Sequence, residues 1–226
     1  HMRALDLSLE HRMRDGWYGK VTYTYSKSKG NTEGQTLSDV GQTDVAATQT
    51  WDFPALMEGA YGYLPGDRRH QIKAFGFYDL TPEWTIGANL LMASGRPKSC
   101  LGNYGGTTDG GDYYGYGSSF HYCFEGTTVK DADNNDVKVF DYSPRGSKGN
   151  LPWDRRVDLN LTYKPGFLKG LSLRADVFNV FNSQVASAID EQQMSSQDQV
   201  SNTYGRVIAY TAPRSVKFTA AYDVKF

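Results

Sequence analysis

The sequence predicts an all-β chain: an antiparallel, up-and-down transmembrane β-barrel segment of about seven strands, the C-terminal part of a larger barrel, with long extracellular loops. Three observations predict it. Seven segments alternate with period two and keep their charges on one face. Their connections switch between tight turns and long excursions. Aromatic residues gather at the strand ends beside the tight turns, where an interfacial girdle belongs.

The first segment runs from Arg3 to Met13, with Leu5, Leu7 and Leu9 opposite Asp6, Ser8, Glu10 and Arg12, and Asp15-Gly16 then supplies a hairpin turn. The second, Trp17 to Ser26, sets Trp17, Val21, Tyr23 and Tyr25 against Lys20, Thr22 and Thr24. The third, His70 to Leu80, carries Ile72, Ala74 and Tyr78 on one face and Lys73, Phe75 and Phe77 on the other, so its outward face stays open. Thr81-Pro82-Glu83 turns the chain into the fourth, Trp84 to Ala93, where Ile86, Ala88, Leu90 and Met92 oppose Thr85, Gly87 and Asn89. The fifth, Arg155 to Tyr163, and the sixth, Leu171 to Phe181, flank the Pro165-Gly166 turn. The seventh ends the chain, with Val216, Phe218, Ala220, Tyr222, Val224 and Phe226 on one side and Lys217, Asp223 and Lys225 on the other.

Short turns follow Met13, Leu80 and Tyr163, and long excursions follow Ser26, Ala93 and Phe181. The short-turn rim collects Trp17, Tyr78, Trp84, Tyr163 and Phe226. Seven is an odd count for a bacterial barrel, so an earlier strand must deliver the chain to the outside, and residues 3–226 read as the C-terminal part of a barrel without its plug and N-terminal strands. His1-Met2 reads as a cloning scar. A net charge of −1 argues against a nucleic-acid partner, and no apolar run approaches the roughly 20 residues of a membrane helix.

Cys100 and Cys123 are the only cysteines. A disulfide between them would restrict the unfolded chain by about 3 kcal/mol in an oxidising compartment, and two buried free thiols are the alternative.

Four motifs carry a family likeness: Asp67-Arg68-Arg69-His70-Gln71, Ser94-Gly95-Arg96-Pro97, the run from Leu171 to Gln184, and Ala212-Pro213-Arg214-Ser215-Val216. In this order, with a terminal phenylalanine, they resemble the C-terminal barrel of a TonB-dependent outer-membrane receptor, most closely the Oar-like subfamily. The resemblance implies a 22-stranded barrel of a Gram-negative outer membrane, of which these would be the last seven strands. It implies import of a scarce extracellular ligand with energy delivered by TonB, ExbB and ExbD through a plug that this sequence lacks, and outer-membrane lipid as the surrounding partner. Tyr222 and Phe226 resemble the signal read by the barrel assembly machinery, and membrane-interface anchoring explains them equally.

The resemblance makes the long loops the ligand surface. Tyr104, Tyr113, Tyr114, Tyr116, Phe120 and Tyr122 are spaced by glycines between the two cysteines, giving broad amphipathic contact on an adaptable backbone; packing among themselves is the alternative. Trp51, with Tyr61 and Tyr63, is a second candidate. The run from Asp131 to Asp136 has calcium-like oxygen spacing but lacks the glycine and glutamate of an EF-hand loop, and reads better as a β-turn between Thr127-Thr128-Val129 and Val137-Lys138-Val139. Arg156, Asp158, Arg174 and Asp176 are expected to line the lumen as a charge ladder, and plug docking is their functional alternative. No metal, cofactor or catalytic set is expected, because His11, His70 and His121 lie in unlike segments and no Ser-His-Asp arrangement is arguable. The competing reading is a soluble, secreted β-sandwich that binds carbohydrate through the Cys100–Cys123 loop. It requires the apolar strand faces to be buried on a second sheet.

Overall fold

The computed structural model describes residues 1–41, 49–104, 115–196 and 199–224. In chain order the strands are β1 (Met2–Arg14), β2 (Trp17–Gly30), β3 (Gly62–Tyr63), β4 (His70–Asp79), β5 (Trp84–Ala93), β6 (Tyr122–Lys130) and β7 (Asp136–Tyr142). They continue with β8 (Asp154–Tyr163), β9 (Leu171–Phe178), β10 (Ala186–Ile189), β11 (Met194–Ser196), β12 (Gln199–Val200), β13 (Val207–Tyr210) and β14 (Ser215–Tyr222). One short helix, α1 (Pro54–Met57), lies in the loop between β2 and β4.

The seven expected strands form one antiparallel sheet in the order β1-β2-β4-β5-β8-β9-β14, with β3 pairing the far end of β2. Its register explains the sequence pattern. Leu9 faces Val21, Val21 faces Ala74, Ala74 faces Leu90 and Leu90 faces Val157, so one apolar surface crosses strand after strand. Farther along it, Leu161 faces Ala175 and Ala175 faces Phe218. The open question about β4 closes here: Ile72, Ala74 and Tyr78 share this apolar side, and Phe75 and Phe77 turn to the polar side, where Tyr18 packs 5.8 Å from each ring.

The apolar side is uncovered. Leu7, Val21, Leu159 and Phe218 are 55%, 45%, 37% and 80% exposed, and no second sheet lies over them among the described residues. A soluble sandwich buries such positions, so the secreted-module reading fails on the observation it required. An outward apolar face backed by a polar one is the wall of a transmembrane barrel. The sheet is open, and the outer edges of β1 and β14 carry no strand among the described residues.

The short-turn rim is built by local chemistry. Asp15 and Gly16 both take positive φ, 52° and 79°, as a two-residue hairpin of matching twist requires. Thr81 Oγ1 accepts from the backbone N–H groups of Glu83 and Trp84, and Glu83 Oε1 accepts from Gly166 N–H at 2.7 Å, tying two neighbouring turns together. Trp84 stacks on Tyr163 at 4.3 Å, and Trp17 on His11 at 3.5 Å. Phe226 lies outside the described residues.

Three strand ends depart from expectation by more than one residue, the first being β14, which stops at Tyr222 and not Phe226 because its partner β9 begins at Leu171. β2 runs on to Gly30, because β3 pairs with its last two residues. β9 stops at Phe178 and not Phe181, because Asn179 and Asn182 adopt left-handed φ of 50° and 52°, which no continuing strand allows. The expected cross-strand charge ladder is also absent: Asp176 faces Asn160, Arg174 faces Thr162, and the ion pairs run along single strands as Arg156–Asp154 and Arg174–Asp176.

Candidate functional site

The buried core sits in the long loops, not in the sheet. Leu37, Leu56, Ala60, Leu101, Phe120, Phe140 and Met194 come from the excursions between strands of the seven-strand sheet, Phe140 on β7 and Met194 on β11, and together they form a small domain on the long-loop rim. The Cys100–Cys123 disulfide forms, with 5.8 Å between its Cα atoms, and joins the segment after β5 to β6. A third segment interlocks with both. Leu101 N–H donates to Glu191 O at 2.9 Å, Gln193 N–H donates to Leu101 O at 2.7 Å, and the Gln193 side-chain amide pairs with the backbone N–H and C=O of Phe124.

Buried charge holds the assembly in register. Arg145 and Asp39, each with a side chain 2% exposed, pair at 2.5 Å, and Arg145 Nε donates to Ala60 O at 2.8 Å. Arg96 Nη1 donates to Glu191 Oε1 at 3.0 Å, and Ser99 N–H donates to the same oxygen at 3.1 Å. Burial raises the Glu191 carboxyl to about 7 despite these partners. The folded protein therefore keeps a proton that the unfolded chain releases, so the contribution of Glu191 to stability is fully present below about pH 4.5 and is lost as pH climbs toward 7. Glu191→Gln is expected to flatten that decline in a melting-temperature series, and a flat series for the unaltered protein would refute it. Burial, with Arg145 nearby, lowers His121 to about 3, so it stays neutral.

The four family motifs converge on this rim as fasteners. Asp67 accepts from Ser28 N–H at 2.7 Å and pairs with Arg69; Ser94 Oγ accepts from His70 N–H, and Arg68 donates to Ser94 O. Gly95 is required by close approach, since a Cβ there would lie 1.7 Å from Leu151 O. Asn179 Nδ2 donates to Ser183 O and Ala212 O, and Asn182 Oδ1 accepts from Arg214 N–H, binding the third motif to the fourth.

The tyrosines are brought together around Glu58, a residue that sequence reading missed because its partners lie 46 and 64 positions away. Tyr104 and Tyr122 donate to its two carboxylate oxygens at 3.0 and 2.6 Å and meet edge to face at 5.3 Å. Burial and the Glu58 hydrogen bond raise the Tyr122 phenol well above its usual range. Tyr116 donates to Asp52 at 2.6 Å and packs on Phe53. Phe120, 1% exposed, lies beneath them with Ala55 and Leu56 of α1. Tyr113 and Tyr114 lie outside the described residues. Trp51, Tyr61 and Tyr142 face outward beside the cluster, Trp51 with 61% of its surface open. The hairpin β6–β7 rises as expected, and the Asp131 Oδ1 oxygen that a calcium reading would use accepts from the N–H groups of Asp133 and Asn135.

A sheet with one uncovered apolar face, tight turns at one rim and a stapled loop domain at the other define the class, a wall segment of an outer-membrane β-barrel, and the chain resembles the TonB-dependent receptors of Gram-negative outer membranes. No family model matches the sequence. The chain is 28% identical over 185 residues to the TonB-dependent transporter Oar of Myxococcus xanthus, covering 81% of this chain and 15% of that protein. In fold it resembles the outer-membrane transporter YddB of Escherichia coli, with a TM-score of 0.57 at 14% identity, covering 98% of this chain and 25% of that one. The structure of P. aeruginosa FpvA bound to heterologous pyoverdines matches with a TM-score of 0.50 at 12% identity, covering 98% of this chain and 19% of that one.

Proposed function

We propose that residues 3–226 are the C-terminal wall of a larger outer-membrane receptor that captures a scarce extracellular ligand at its long-loop rim and imports it with TonB-delivered energy. The observation that carries this reading is the disulfide-stapled loop domain seated on the far side of a membrane-facing sheet from the tight turns. TonB, ExbB and ExbD act in this reading through a plug formed elsewhere in the protein. The outer edges of β1 and β14, which carry no strand among the described residues, and the much longer relative support a wall segment of a larger barrel. Tyr222, outward-facing opposite Leu171, and Phe226 serve as the assembly signal.

Ligand contact falls to the exposed aromatics Trp51, Tyr61 and Tyr142, with Tyr104, Tyr116 and Tyr122 presenting edges beside them and Phe120 supporting from below. Tyr113 and Tyr114 are proposed contacts on sequence grounds alone. The protein acts by binding and passage, with no chemistry on the ligand. The test is binding of a ferric chelate, an oligosaccharide and a short peptide to the full-length receptor, read by Trp51 fluorescence and by calorimetry. At least one probe should bind and weaken about tenfold or more in Trp51→Ala/Tyr61→Ala. Tight binding that the double variant leaves unchanged would move the ligand site elsewhere. Disrupting the disulfide with Cys100→Ser/Cys123→Ser should cost the loop domain about 3 kcal/mol and weaken binding with it.

A further inference from the structure

The row of side chains that faces lipid along β1 and β2 changes character at the long-loop rim. Leu9, Leu7 and Leu5 pair with Val21, Tyr23 and Tyr25, and the next pair on the same side is Arg3 opposite Lys27. Like charges directly opposite on one sheet face repel. No carboxylate lies within 4.0 Å of Arg3, Lys27 or Lys29 among the described residues.

Lys29 and Arg69 extend the patch, lying 4.3 and 4.5 Å from the centre of the Tyr63 ring. The carboxylate that reaches Arg69 is Asp67, buried and already accepting from Ser28 N–H. The Arg69 hydrogen bond and the charges of Arg69, Lys29 and Lys27 pull the Tyr63 phenol below its usual range, a sign that the local field is cationic. Tyr25, His70 and Trp153 flank the patch at the same height, with His70 stacked 6.0 Å from Trp153, as aromatics do at a membrane interface.

We propose that this outward patch is a docking site for a phosphate-bearing lipid of the outer leaflet, its phosphate held among Arg3, Lys27, Lys29 and Arg69 and its acyl chains lying along Leu5, Leu7 and Leu9. Charge complementarity selects the phosphate, and continuity with the apolar row selects a lipid over a free anion. The site rests on the outward-facing reading of the sheet. It gives the receptor a fixed neighbour in the membrane, bound on the side of β1 and β2 away from the lumen.

The test uses the full-length receptor in detergent and native mass spectrometry with a bisphosphorylated glycolipid and its phosphate-free counterpart. The unaltered protein should retain the phosphorylated form, and Lys27→Gln/Lys29→Gln should weaken retention roughly 30-fold, about fivefold for each charge. Lys73→Gln, on the polar face, should change nothing. Equal retention of the two lipids, or no loss in the double variant, overturns the phosphate site and leaves the membrane-facing sheet standing. Displacement by equimolar inorganic phosphate assigns the cations to a free anion and overturns the lipid. Retention of neither lipid overturns the outward-facing sheet itself.

Discussion

Arg145→Ala is expected to destabilise the loop domain by roughly 3–5 kcal/mol, because it leaves Asp39 charged, buried and without its partner. The guanidinium also donates to Ala60 O and Asn31 O, so its loss frees two backbone acceptors from segments that share no strand. The damage should stay local. Limited proteolysis of the intact receptor should show faster cleavage between residues 31 and 61, and the seven-strand sheet should keep its resistance to unfolding in detergent. Removing both charges with Arg145→Met/Asp39→Leu should recover much of the loss, since a well-packed apolar pair can replace a buried ion pair. A loss under about 1 kcal/mol in Arg145→Ala would show that the pair contributes little to the assembly.

Leu159→Arg is expected to cost about 2–4 kcal/mol of folding into a bilayer, since Leu159 lies at the middle of β8 on the outward face. Its neighbour Asn160 faces the polar side, where Phe77, Thr162 and Arg174 line a depression of about 340 Å³. Asn160→Arg should therefore cost much less, because water reaches that side. Urea titration of folding into lipid vesicles measures both, and equal costs would mean that the two faces meet the same solvent.

The sheet was legible because period-two alternation depends on near neighbours. Trp84 to Ala93 was bounded correctly from sequence, and β8 differs by one residue, Asp154. Strand ends set by distant partners were not legible: β2 lengthens because β3 pairs with it, and β9 shortens because Asn179 turns to bind Ser183 and Ala212. The β4 faces stayed open in sequence because Phe75 and Phe77 are as apolar as Ile72 and Ala74, and the register with β2 decides between them.

The loop domain shows the same division. Two cysteines in one glycine-rich stretch were a local signal, and they pair. Asp39, Glu58, Arg145 and Glu191 carried none, because their partners are 46 to 106 residues away. Asp39, Arg145 and Glu191 are buried in the loop core, and Glu58 stays exposed at its surface. The family motifs were recognisable as a set, yet their work became visible only when Ser94, His70, Asn179 and Arg214 were seen closing strand ends at one rim.

Alternation of solvent along adjacent residues is the claim on which the rest depends, and labelling tests it directly. Single cysteines at Val21 and Thr22, Leu159 and Asn160, and Lys217 and Phe218 would be introduced in the full-length receptor lacking Cys100 and Cys123 and reconstituted into vesicles. Each would carry a fluorophore exposed to lipid-borne nitroxide quenchers. Positions 21, 159 and 218 should be quenched by the lipid, and positions 22, 160 and 217 by a water-soluble quencher. Indistinguishable quenching within each pair would contradict the account.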